Sequence, residues 1–238
     1  MSLSTQDLSY AYGSKQALKS VSFTARRGRF TALLGPNGAG KSTLFALLTR
    51  LFTSAQGSIH VAGHDLRRNP RAALAEMGIV FQQQTLDLDL TVRQNLNYFA
   101  ALHGFSGKDA ATRIDAALDR LAMRERAAER ARSLNGGHRR RTEIARALLH
   151  DPSVLLLDEP TVGLDAAARA AITHHLHDLA SADNLTVLWA THLTDEVTPD
   201  DDLIVLHQGA IRATGRAADL HGQTPLADWF LEQTKGPA

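Results

Sequence analysis

Apolar positions along the chain recur with two periods, and the alternation between them predicts the architecture. "LKSVSF" (18–23) and "FTALLG" (30–35) read as strands. The second runs through a glycine-rich turn into "KSTLFALLTRLF" (41–52), whose apolar residues have helical spacing. "QGSIHVAGHDL" (56–66) reads as a hairpin-like piece bracketed by Gly57 and Gly63, and "MGIVFQQ" (77–83) as a further strand. From about Thr91 to Arg132 the pattern turns helical: Ile114, Leu118 and Leu121 share one face, and "RERAAERAR" (124–132) reads as a solvated helix charged all round. "SVLLLDEP" (153–160) is a continuous apolar run, as expected of a parallel strand covered on both faces. "AAARAAITHHLHDLA" (166–180) is helical, "LTVLWATH" (185–192) and "DLIVLH" (202–207) are strands, and "GAIRATG" (209–215) closes the sheet. Strands alternating with helices predict an α/β fold: a mostly parallel sheet flanked by helices, with a helical subdomain inserted at about 87–150. We expect one domain over 1–238, ending in a short tail at about 222–238.

Composition narrows the class. A chain of 238 residues can bury a sizeable core. With 26 Lys+Arg against 25 Asp+Glu its formal net charge is +1, so no global field favours nucleic acid or an anionic membrane, and no nucleic-acid partner is expected. Cysteine is absent, which excludes disulfides, thiolate metal sites and a cysteine nucleophile. The start, "MSLSTQDLSYAYG", lacks the basic residues and apolar run of a signal peptide, and no apolar run approaches the ~18 residues of a spanning helix. A membrane role then needs a second chain as anchor, with this one at the cytoplasmic face.

Residues 35–43, "GPNGAGKST", carry the chemistry. They match G-x-x-x-x-G-K-[ST] between a predicted strand and a predicted helix, the context of a phosphate-binding loop. Gly35, Gly38 and Gly40 are expected to permit backbone angles that turn successive N–H groups inward beside the positive end of the helix dipole. The cradle spans Gly35, Pro36, Asn37, Gly38, Ala39, Gly40, Lys41, Ser42 and Thr43, with Lys41 reaching the β- and γ-phosphates of a nucleoside triphosphate and the Ser42 hydroxyl on Mg²⁺. Such a loop calls for a carboxylate at a neighbouring strand end. "VLLLDEP" supplies Asp158 to hold Mg²⁺ through water, and Glu159, on the opposite side of the pleat, to orient or deprotonate the attacking water.

In order, these motifs make the chain resemble the ATP-binding subunits of ABC transporters, whose P-loop NTPase core carries an antiparallel β subdomain and an inserted helical one. "GPNGAGKST" resembles the Walker A motif, "VFQQQ" (80–84) the Q-loop, "LNGGH" (134–138) the signature usually written LSGGQ, "VLLLDEP" Walker B, "VGLD" (162–165) the D-loop, and His192 the switch histidine. The resemblance spans about Leu8 to Gly215. It implies that Tyr12 stacks on adenine, and that Gln82 couples Mg²⁺ and the attacking water to the helical subdomain. It also implies that His192 contacts the γ-phosphate and Glu159, and that Asp165 reports across a dimer interface. Asn135, Gly136, Gly137 and His138 would complete the ATP site of a second copy, sandwiching two nucleotides between head-to-tail protomers. Tyr12 also has a plain reading, as a strand aromatic packing on the core.

The signature departs from the family at Asn135, where serine is usual, and at His138, where glutamine is usual. Both keep hydrogen-bonding chemistry, and Asn135 can also cap the helix that follows. In "SLNGGHRRR" (133–141) the three arginines point about 100° apart on a helix, so they form no single phosphate clamp, and some read as ordinary helix surface. His174, His175 and His177 read as a solvated helix surface before a metal site. Leu226, Trp229 and Phe230 form an apolar stripe expected to dock on the chain's own domain.

Three functions compete. A transporter's energising ATPase fits a lone nucleotide domain with no span of its own. The wording "LTVRQNL", "LNGGHRRR" and "EPTVGLD" is most similar to exporters of the drug, sodium and polysaccharide kind, and to a subgroup associated with PQQ-dependent alcohol catabolism. A soluble ABC ATPase acting on nucleic acid or ribosomes usually carries coiled coils, zinc cysteines or tandem domains. A generic P-loop switch or kinase leaves "LNGGH" and "VGLD" without a role. The first is expected, with a polytopic permease as partner.

Overall fold

The computed structural model describes residues 2–235. An antiparallel sheet has the order β2 (Lys15–Ala25), β1 (Leu3–Tyr12), β4 (Gln56–Val61) and β5 (His64–Asp65). A second sheet runs β10 (Ala210–Arg216), β9 (Asp202–His207), β3 (Phe30–Leu34), β8 (Thr186–Thr191), β7 (Val154–Asp158) and β6 (Met77–Val80), with every pairing parallel except β10 on β9. The apolar runs are explained by cover on both faces. Leu155 and Leu157 of β7 join a core shared with the helices between β6 and β7. Val154 and Leu156 join the core shared with α1 (Lys41–Leu48) and the antiparallel sheet.

Between β6 and β7 lie α3 (Val92–Leu102), α4 (Gly107–Arg120) and α5 (Gly136–Ala147), preceded by the short α2 (Pro70–Ala75). A capping box starts α3: Gln94 N–H donates to Thr91 Oγ1, and Thr91 N–H to Gln94 Oε1. Ile114, Leu118 and Leu121 are buried, as their spacing requires.

Residues 124–132 do not form the expected charged helix. Two 3-10 turns, Arg124–Arg126 and Ala131–Ser133, flank a stretch whose backbone bonds to the start of α3 and the residues just before it: Val92 N–H donates to Glu129 O, Arg93 N–H to Ala127 O, and Ala131 N–H to Leu90 O, each at 2.9 Å. Ala127 and Ala131 are buried beneath, so the small residues favour this packing over a solvated helix.

Trp189 on β8 is fully buried and donates through Nε1 to Glu196 Oε2 at 2.9 Å, while Thr161 Oγ1 donates to the other carboxylate oxygen. Glu196 is itself buried, and removing it would leave each orphaned donor costing on the order of 1–3 kcal/mol. It thereby ties the loop after β7 to the segment after β8, the two stretches that carry the site. At the C-terminal end, after the short α7 (Ala217–His221), α8 (Leu226–Thr234) buries Phe230 and partly buries Leu226 and Trp229 against the larger core.

Candidate active site

The loop between β3 and α1 turns on two glycines with left-handed backbone: Gly38 at φ 80° and Gly40, the N-cap of α1, at φ 110°. Gly35 serves differently from the expectation. Its φ is not positive, but a Cβ there would meet Leu206 O at 2.5 Å and Ala39 Cβ at 3.1 Å, so the residue is glycine because β9 passes close by. Lys41 opens α1 and is only 5% exposed. Its Nζ donates to Gly35 O at 2.6 Å and lies 3.1 Å from Glu159 Oε1.

β7 ends at Asp158. Glu159 follows with φ 45°, its N–H donating to Ala190 O, so a left-handed turn rather than the strand pleat aims its side chain. This corrects the pleat argument while keeping the two carboxylates apart in role. Around Glu159 the chain gathers residues distant in sequence: Gln82 Nε2 donates to Oε2 at 3.3 Å, and His192 Nδ1 sits 3.4 Å from Oε1, in contact but not aligned for a hydrogen bond. Gln82 does not extend β6 as expected, since that strand stops at Val80 and residues 81–84 leave the sheet.

Asp158 is partly buried, and that burial, with the charge of Glu159 added, pushes its carboxyl up to about 6 against the opposing pull of Lys41. A carboxylate held at this cost beside a hydroxyl-bearing phosphate loop suits a divalent cation, whose charge removes the penalty.

Lys41, Gln82, Glu159 and His192 line a cleft of about 1050 Å³ together with Ser42, Thr43 and Tyr12, while Asp158 sits one residue behind that lining, at the end of β7. Tyr12 is 48% exposed, its hydroxyl 3.3 Å from Thr43 Oγ1 and its ring edge-on to Tyr10 and Phe52. It is therefore a supported rim residue rather than part of the core. Lys15 and Lys19 of β2 and Gln208 also reach the cleft. Sequence reasoning passed over them, and the available signal was two lysines at even spacing on the strand following Tyr12.

The signature residues and Asp165 lie outside this cleft. Asn135 is the N-cap of α5, its Oδ1 accepting from His138 N–H at 2.8 Å, and Asp165 caps α6 (Ala166–Ala182) in the same way through Ala168 N–H. A Cβ on Gly136 would meet Leu164 Cδ2 at 2.9 Å and one on Gly137 would meet Ala168 Cβ at 3.2 Å, so the glycine pair lets the start of α5 pack on the start of α6. Burial and the charges of Arg126 and Arg141 hold the His138 imidazole below its ordinary pKa, against Glu129.

The three arginines are not free helix surface. Arg139 donates to Ala131 O and Arg132 O, Arg141 to Leu121 O, and Arg140 is buried. The histidine run divides as well. His174 is exposed, His175 contacts Arg120 O, and His177 is held by Thr173 O and Asp201 with its ring stacked on Phe30, which corrects the solvated reading for the last two.

A glycine-turned phosphate cradle with a buried lysine, at the carboxyl end of a parallel sheet and facing two consecutive carboxylates, defines a P-loop nucleotide triphosphatase. A family model described as ABC transporter matches residues 18–162. The daunorubicin resistance ATP-binding protein DrrA3 of Streptomyces coeruleorubidus is 36% identical over 213 residues, 90% of this chain and 67% of that protein. The Nod factor export ATP-binding protein I of Rhizobium johnstonii is 40% identical over 210 residues, 88% of this chain and 67% of that protein. Among solved structures, cbiO1 of Clostridium perfringens, described as part of the ABC transporter complex cbiONQ, matches with a TM-score of 0.85 at 30% identity, over 93% of this chain and 90% of that one. The chain belongs to the ABC transporter family as an ATP-binding, ATP-hydrolysing subunit.

Proposed function

We propose that this subunit powers export through a separate polytopic permease, with ATP held between two head-to-tail copies of the chain. The convergence of Lys41, Gln82 and His192 on Glu159 carries the reading. Lys41 and the N–H groups of the loop after Pro36 hold the β- and γ-phosphates, and Tyr12 supports the adenine. Glu159 accepts the proton of the attacking water, while the Gln82 amide holds the carboxylate's direction and His192 lies against its other oxygen. Ser42, Asp158 and Gln82 are the residues that would hold Mg²⁺, which would supply charge neutralisation at the phosphates. Asn135, Gly136, Gly137, His138 and Asp165 lie outside the cleft, which suits a role toward a second copy. Closure then follows from ATP's higher affinity for the joined state.

Relatives named for drug resistance and Nod factor export support the outward direction. Among the described residues no helix is long and apolar enough to cross a membrane, and in this reading the permease holds the chain at the inner face of the cell membrane. The test is purification of the tagged chain from native membranes. Recovery with a polytopic membrane protein and MgATP hydrolysis above a Glu159→Gln control is expected. Recovery with ribosomes or nucleic acid instead would favour the soluble alternative.

A further inference from the structure

A buried ionic network joins α5 to the loop that carries Gln82, and none of the motif residues takes part in it through its side chain. Arg140 is 2% exposed and Glu143 1%. Arg140 donates through Nη1 to Phe81 O and through Nη2 to Gln82 O, each at 2.8 Å, and through Nη1 to Glu143 Oε2 at 2.8 Å. Glu143 Oε1 accepts from Thr85 N–H at 2.6 Å, and Arg146 donates to Thr85 O at 3.1 Å and Thr85 Oγ1 at 2.6 Å. Three side chains of one helix thus occupy the backbone groups of residues 81, 82 and 85, just where β6 stops. In so buried a place each bond is charge-assisted and costly to leave unmade. The loop therefore moves with α5 rather than independently of it.

We infer that Arg140, supported by Glu143 and Arg146, is a positioning residue for ATP hydrolysis, transmitting the position of α5's N-terminal end to Gln82 and from there to Glu159. The path is continuous: Arg140 holds the Gln82 carbonyl, and the Gln82 side chain donates to Glu159 Oε2. The inference rests on the proposed role of Gln82. It adds a mechanical consequence, that a contact made at Asn135 or His138 by the nucleotide of a second copy reaches this copy's own Glu159 through α5. The guanidinium geometry matters because two consecutive carbonyls need two parallel N–H donors, which an ammonium on a flexible stem does not present.

The experiment is ATPase kinetics of Arg140→Lys, Gln82→Ala and the double variant. Arg140→Lys keeps the charge beside Glu143 but not the fork. It is expected to lower kcat by about ten- to a hundredfold, the scale of a ~1 Å misplacement, with KM held within about twofold, in a protein that melts a few degrees lower but is fully folded at the assay temperature. In the Gln82→Ala background it should have no further effect. Should Arg140→Lys prove unstable, Arg140→Met with Glu143→Gln replaces the pair by neutral side chains of similar volume, keeps an acceptor for Thr85 N–H, and should give the same kcat loss and the same non-additivity. A folded variant with wild-type kcat, or a loss that multiplies with that of Gln82→Ala, overturns the inference while leaving Gln82 in its role. Full activity in Gln82→Ala alone overturns the Gln82 reading and the inference with it.

Discussion

Lys41 Nζ lies 3.1 Å from Glu159 Oε1, an ion pair that joins the phosphate loop to the turn after β7 with side chains only 5% and 12% exposed. A terminal phosphate entering the cleft competes with Glu159 for that lysine. Lys41→Ala should weaken nucleotide binding at least about tenfold, the loss of a charge-assisted contact, as measured by isothermal titration. Glu159→Gln releases Lys41 without emptying the space. Nucleotide affinity should hold or rise while turnover falls by about a hundredfold or more, and the variant at saturating ATP should run as a dimer in light scattering. A monomer under those conditions contradicts the sandwich.

Asn135 replaces the family's serine yet caps α5. Asn135→Ser should keep the cap, leaving the melting temperature unchanged and ATP turnover within a few-fold. Asn135→Ala should destabilise by about 1 kcal/mol in chemical denaturation. Equal stability of the two variants would show that the cap contributes nothing.

Asp158 stands at about 6 because burial and Glu159 disfavour its charge. Without nucleotide, Asp158→Asn should therefore raise the melting temperature at pH 7.5 by roughly 2–4 °C, the scale of ~1 kcal/mol in a domain of this size, while Mg²⁺-dependent hydrolysis falls. A lower melting temperature would mean that the Asp158 charge is not disfavoured in the nucleotide-free protein.

Burial by itself lowers the His177 pKa, but its bond to Asp201 and the charge of that residue, with the Thr173 carbonyl and Asp178 added, leave it raised above 6.5. A raised histidine pKa gives stability fully present below pH 6.5 and lost as pH rises through the folded value. Asp201→Asn keeps an acceptor for Thr198 N–H but removes the charge. The stability gap between wild type and this variant in urea melts should be largest at pH 6 and shrink toward pH 8.5. Using that gap cancels the opposite trend from His103, His138 and His150, whose pKa values are lowered by burial. A constant gap would place Asp201's contribution in the turn alone.

The sequence by itself determined what is local. A glycine loop between a strand and a helix has one chemistry wherever it folds, so Lys41 and Ser42 were legible. Strands buried on both faces must be apolar throughout, so β3 and β7 were too. The end of β7 also marked Asp158 and Glu159. Tertiary structure decided what depends on neighbours. The run 124–132 had the letters of a solvated helix, but its backbone found partners at residues 90–93. Gly35 owes its identity to the passing strand β9, and Arg140, one of three arginines alike in sequence, is buried because the carbonyls of Phe81 and Gln82 lie above its turn of α5. Glu159 meets Gln82 across 77 residues through a left-handed turn that no periodicity predicts. Such contacts depend on where the chain returns in space, and pattern along the chain carries no measure of that.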